Sequence, residues 1–146
     1  MAAGDYLVNL DGGKWNGAKK TVTYVAGTTG AVGAATLFTV TGAVRMRLFA
    51  RCTTTLTSGA TPAMSIGTAL KTAGLIAATD PTTIAANELW NDATSDSSVE
   101  LDSATVTNVV SQNVISTIAT ATVTGGVMEY YCLWQPLSPD GLVVAA

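Results

Sequence analysis

Short runs of alternating apolar and polar residues recur along this chain, separated by glycine, proline and serine. The clearest spans Leu37–Thr55. Val40, Val44, Met46, Leu48, Ala50 and Cys52 fall on one side of it, and Arg45, Arg47, Phe49 and Arg51 on the other. Successive side chains of a strand point to opposite faces, so this period of two predicts a strand with a core side and a charged side. The run is announced by TVTGAV at 39–44, which returns as TVTGGV at 122–127 ahead of a second alternating run, Met128–Trp134. Residues 39–52 and 122–134 are therefore expected to be two long core strands. Tyr6–Leu10, Lys20–Val25, Ala63–Thr68, Val99–Val109 and Val114–Val123 read as shorter ones.

The punctuation agrees. Asp11-Gly12, Asn16-Gly17 and Ser58-Gly59 are turn dipeptides, and 27–33 is a glycine-rich loop. Ile84–Trp90 leads into an acidic loop, and residues 69–79 hold the one plausible helical turn, with Leu70, Leu75 and Ile76 inward. Pro136 and Pro139 end pairing, because proline cannot donate to a ladder. The apolar tail 141–146 must then dock on a neighbour or add an edge strand. The fold class expected is all-β: an antiparallel β-sandwich or flattened barrel, jelly-roll-like, of about eight short strands. A single β domain is expected over 1–146, with an extended N-terminal segment of about 1–20 and the apolar tail from about 136.

Composition sharpens this picture. Threonine and valine suit a pleated, half-buried surface, and only 17 of 146 residues are charged. So sparse a charge suggests that much of the surface meets other protein. All seven basic residues precede Thr72, against Asp5 and Asp11, which gives that part +5. The remainder holds eight acidic residues and no basic one. Either the two parts interleave and neutralise across strands, or the subunit docks one charged side on a neighbour. The uncharged stretches 21–44 and 103–128 are too rich in threonine, serine and glycine for membrane helices, so no membrane partner is expected. The N-terminus lacks the basic start and apolar stretch of a signal peptide. Cys52 and Cys132 follow the two repeated motifs at similar places, which could bring them near each other. They read better as buried free thiols than as a disulfide.

Candidate chemistry is thin. The chain has no histidine, which removes histidine-based triads and zinc sites. The glycines at 27–33 match neither phosphate-loop spacing. Asp92, Asp96, Glu100 and Asp102, with Glu88 nearby, read as a solvated acidic edge rather than a calcium loop. Arg45, Arg47 and Arg51 with Phe49 raise the question of nucleic acid, but a sequence pI near 4.6 speaks against that partner. Trp15, Trp90 and Trp134 read as core or barrel-end residues sooner than as ligand platforms. No enzymatic activity and no cofactor are expected.

Three stretches together, TVTGAVRMRLFARCTTTLTSGA, the block SIGT…TAGLIAATDPTTIAANELWNDATSD, and ATVTGGVMEYYCLWQPLSPDGLVVAA, resemble small structural head proteins of tailed bacteriophages. The similarity runs from about Thr36 to Ala146 and is most specific in the final piece. It implies a virion component on the capsid exterior, assembled in the host cytoplasm. Within that class the resemblance implies a decoration (cement) protein or minor capsid protein that binds the major capsid protein and itself, as a homotrimer. A tail or head–tail joining protein, or a host-surface or carbohydrate-binding β-module, is the alternative. The motifs are strand and turn signatures, so no functional residue carries over. Contacts are expected at the terminal segments and the arginine face: Lys14, Trp15, Lys19, Lys20, Arg45, Arg47, Arg51, Leu142, Val143 and Val144.

Overall fold

A computed structural model describes residues 14–95, 98–101 and 104–146. In chain order the strands are β1 (Asn16–Thr23), β2 (Gly33–Thr41), β3 (Val44–Ser58), β4 (Ala63–Thr68) and β5 (Lys71–Thr79). A 3-10 turn at Pro81–Thr83 leads to β6 (Leu89–Trp90), β7 (Thr107–Val110), β8 (Val114–Ala119), β9 (Val123–Pro136) and β10 (Leu142–Ala145). Sheet A has the order β1-β9-β3, with β6 and β7 both on the far side of β3. Sheet B has the order β10-β2-β8-β4-β5. All pairings are antiparallel.

The pairings are nested. β1 pairs β9, β2 pairs β8, β3 pairs β6 and β7, and β4 pairs β5 in a tight hairpin. Apart from that hairpin, each connection between full strands passes from one sheet to the other. A long hairpin rolled on itself has this connectivity, so the sandwich is a jelly roll with β10 added beside β2. The inner faces meet in one apolar core, where Phe38, Met46, Met64, Ile66, Trp90, Met128 and Tyr130 are fully buried.

Alternation explains the long strands. Val44, Met46, Leu48, Ala50, Cys52 and Leu56 of β3 are buried, as are Met128, Tyr130, Cys132 and Trp134 of β9. The two cysteines face the same core but lie apart: Cys52 opposes Met128, while Cys132 opposes Leu48. Four rungs amount to about 13 Å, beyond the Cα separation a disulfide allows. Both thiols are unbridged and buried.

Several expectations are corrected. The stretch 39–52 is not one strand: Thr41 ends β2, Gly42 turns with φ +62°, and Val44 opens β3 in the other sheet. The second motif, from Val123 on, stays within β9, where Gly126 at φ +102° lies at a register shift against β3. The same letters thus serve as a sheet-switching corner and as part of a continuing strand. Residues 69–79 form no helical turn. Ala69-Leu70 is the hairpin turn, Leu70 is exposed, and 71–79 is an edge strand whose ladder to β4 outweighs its alanines. Asn16-Gly17 is no turn either, since both residues pair with Trp134 and Leu133. Of the expected strand 99–109, residues 107–109 lie in β7. Tyr6–Leu10 and Asp11-Gly12 lie outside the described residues.

Candidate functional site: the outer face of sheet A

Period two on β3 and β9 places a second row of side chains outward, and the register joins them into cross-strand rows. Gln135 lies beside Arg45, Leu133 beside Arg47, Tyr131 beside Phe49, and Glu129 beside Arg51. β1 extends two of these rows with Lys19 next to Tyr131 and Thr21 next to Glu129. On the other edge, Val109 lies beside Arg45, Thr107 beside Arg47 and Leu89 beside Arg51. Trp15, the residue before β1, covers the end of the arginine row. Its ring centroid is 5.2 Å from the Arg45 guanidinium carbon and 5.4 Å from that of Arg47.

Each cation is held in place. Arg45 donates from Nε to Gln135 Oε1 at 2.7 Å, and Arg47 from Nε to Thr107 Oγ1 at 3.0 Å. Arg51 donates from Nη2 to Asn87 Oδ1 at 2.9 Å. Asn87 is presented by its own backbone. It takes a left-handed φ of 74°, which asparagine tolerates better than most residues, and its N–H donates to the Cys52 carbonyl at 2.7 Å. Phe49 and Tyr131 stack with centroids 5.1 Å apart and planes 11° from parallel. The Lys19 ammonium lies 5.3 Å from the Tyr131 centroid and donates to Glu129 Oε1 at 2.7 Å, while Tyr131 donates its hydroxyl to Glu129 Oε2 at 2.5 Å. These hydrogen bonds, from Lys19 first and Tyr131 second, hold the Glu129 carboxyl below the usual range. The bond to Glu129 likewise raises the Lys19 amine.

Formally the face carries Lys19, Arg45, Arg47 and Arg51 against Glu129. Lys19–Glu129 is the ion pair found among the described residues. Arg45 and Arg51 make their described hydrogen bonds to side-chain amides, while Arg51 also faces Glu129 across the strands and helps to lower its carboxyl, so the arginine row is neutralised across strands only in part. Set between Trp15, Phe49, Tyr131 and the half-exposed Leu133, these groups form a pre-set cationic and aromatic surface.

The expected contact residues divide. Trp15, Lys19, Arg45, Arg47 and Arg51 come together here, and exposed Lys14 adjoins Trp15 in sequence. Lys20 points the other way: it opposes Tyr130 on β1 and donates its ammonium to the Ala146 main-chain oxygen, at the end of β10. The tail takes the edge-strand alternative, pairing with β2 through Leu142–Ala145. Val143 is buried in the chain's own core and offers nothing to a partner, whereas Leu142 and Val144 are exposed. Trp90 and Trp134 are core residues; Trp15 is not.

Sequence reasoning missed Tyr131, Glu129, Leu133 and Gln135 as members of the face. The period-two rule applied to β9 selects all four once its core side is known. Asn87 carried no such signal, because a loop brings it to Arg51. Beside the face, a cleft of about 330 Å³ opens between the β4–β5 turn and the segment after β7, lined by Leu70, Lys71, Leu75, Val109 and Gln112. Among the described residues no three cysteine or acidic side chains gather where they could hold a metal ion.

No family model matches the chain, and neither does any curated protein or solved structure searched for likeness to it.

Proposed function

We propose that this chain is a structural component of a virus particle: a decoration protein that binds the outside of a phage head and stabilises it through protein–protein contacts. The observation that carries the reading is the outer face of sheet A. Its cations are oriented by hydrogen bonds and ring contacts before any partner arrives, so little side-chain freedom is lost on docking. Guanidinium groups suit carboxylates, to which they can donate two parallel bonds, and aromatic rings supply rigid contact area. A surface of this kind is built for an acidic protein partner. The resemblance of residues 36–146 to phage head proteins supports the same reading, and the jelly roll agrees with it by fold analogy alone.

A modest interface repeated over a lattice stabilises the shell copy by copy, through preferential binding to the assembled state. The test uses purified protein and heads that lack it. The protein should co-sediment with the heads to a saturating stoichiometry comparable to the major capsid protein, and raise their melting temperature. Absence of binding sinks the proposal. Saturation at a small ring's worth of copies moves the protein to the tail or the head–tail joint.

A further inference from the structure

Charge is nearly absent from sheet B. Its strands β10, β2, β8, β4 and β5 hold a single charged residue, Lys71, at the start of β5. In sheet A, by contrast, β1, β3 and β9 hold Lys19, Lys20, Arg45, Arg47, Arg51 and Glu129. Alternation and register fix which side chains of sheet B point outward. Val143 of β10 and Val114, Ser116 and Ile118 of β8 are buried, so Val144, Ile115 and Thr117 face away from the core. Pairing with β2 places Thr39 beside Val144, Thr36 beside Ile115 and Ala34 beside Thr117. Ala34, Thr36 and Thr39 are exposed, as are the apolar Leu142 and Val144, at 45 % and 48 %.

An antiparallel sheet with one solvated face sets apolar groups inward and polar ones outward, and about a quarter to a third of a soluble surface is charged. This outward face carries alanine, threonine, valine and isoleucine instead. Depletion of charge is the compositional mark of an interface core. Small and β-branched side chains also keep its relief low over β10, β2 and β8. Towards β5 it ends at a rim, where the Thr72 carbonyl accepts from Ser65 Oγ at 3.0 Å.

We infer that two copies of the chain pack sheet B against sheet B across a two-fold axis. A face without charge has no complement in an acidic or basic partner. A second copy matches it in flatness, strand spacing and lack of charge, and a two-fold contact joins the same patch on both subunits. Sheets stacked in this way lie about 10 Å apart with their side chains interdigitated. The area suffices. Five strands, about 4.8 Å apart and about six residues long, present roughly 500 Å² of plan area per copy. The pair therefore buries about 1,000 Å² before side-chain relief is counted, which reaches the size of a specific interface. The contact lies on the opposite side of the sandwich from the sheet A face and shares no residue with it, so it goes beyond the proposed function and stands or falls separately. It makes a dimer where the resemblance implies a trimer.

Sedimentation of the full chain, without heads, tests it. The wild type should dimerise with a dissociation constant that changes less than about threefold between about 0.05 and 0.5 M salt, because no charge pairs cross the contact. Thr36→Glu and Thr36→Lys place a charge at an exposed position beside the central strand β8. Each should weaken dimerisation by about tenfold or more, since like charges then meet on facing sheets. An equimolar mixture of the two should dimerise again, because the facing charges are opposite, and that recovery excludes misfolding of either variant. A wild type that is a monomer or a trimer overturns the inference, as does one that salt disperses. So do variants that dimerise as the wild type does, or a mixture that stays monomeric. Head binding is measured separately on the wild type. A monomer that coats heads refutes the dimer and leaves the decoration reading standing; a dimer that ignores heads does the reverse.

Discussion

Tyr24 and Tyr130 share a hydrogen bond of 2.5 Å between their hydroxyls deep in the sandwich, with Met64 Sδ 3.5 Å from the first and 3.8 Å from the second. Burial raises the Tyr24 phenol to about 12 and pushes Tyr130 well above its ordinary value. The folded state thus resists an ionisation that the unfolded chain undergoes near pH 10. Stability from this pair is complete below about pH 10 and is lost as pH rises through 12. Denaturant midpoints should fall across that window, and fall less in Tyr24→Phe. At neutral pH the same substitution removes one hydrogen bond and should cost about 1–2 kcal/mol in a denaturant titration. Burial also raises the thiol of Cys132 to about 12, and that of Cys52 in the same direction. Native protein should therefore react slowly with a thiol reagent, while protein denatured without reductant should yield two thiols. A titration that finds none would show them oxidised.

The repeated motif shows how an element's role is set by what surrounds it. At Gly126 an added Cβ would lie 2.6 Å from the Leu56 Cα and 2.7 Å from the Thr55 carbonyl oxygen, on a backbone already at positive φ. Gly126→Ala should destabilise by about 3 kcal/mol, measured by chemical denaturation. At Gly42 the obstacle is different: a Cβ would run into the Ser138 hydroxyl and the Asp140 carboxylate, which hold the corner before β10. β10 itself buries Val143 against the core and covers the edge of β2. Deleting residues 141–146 should cost roughly 2–4 kcal/mol and expose a pairing edge, visible as a lower melting temperature and concentration-dependent aggregation.

For the whole molecule, the jelly roll separates two jobs. The inner faces close one core, and the outer face of sheet A is left to carry charge and aromatic area. Trp15 tests that separation, because it touches the arginines and is only partly buried. Trp15→Ala should change folding stability by no more than about 1 kcal/mol, the scale of an exposed cation–π contact. It should nevertheless weaken co-sedimentation with heads, by releasing two guanidiniums from their set orientation. Unchanged head binding in a well-folded variant would place the contact surface elsewhere on the molecule.

Periodicity and turn residues alone determined the β class, the core side of β3, the arginine row, and the extent of β4. These follow from where a side chain must point along an extended backbone, which is a local matter. Local pattern could not decide whether TVTG continues a strand or turns a corner, because glycine permits both and only the neighbouring sheet selects one. Nor could it show that an alanine-rich segment would be a strand, since the ladder from β4 is supplied from outside the segment. The tail's pairing with β2, the pairing of both β6 and β7 with β3, and the arrival of Trp15, Tyr131 and Asn87 beside the arginines all depend on contacts between distant residues. The sequence by itself thus determined which side chains share a strand face. Tertiary structure alone decided which strands became neighbours and which became edges, and what packed against the faces that alternation left undecided, because pairing is a property of what lies beside a strand and not of the strand.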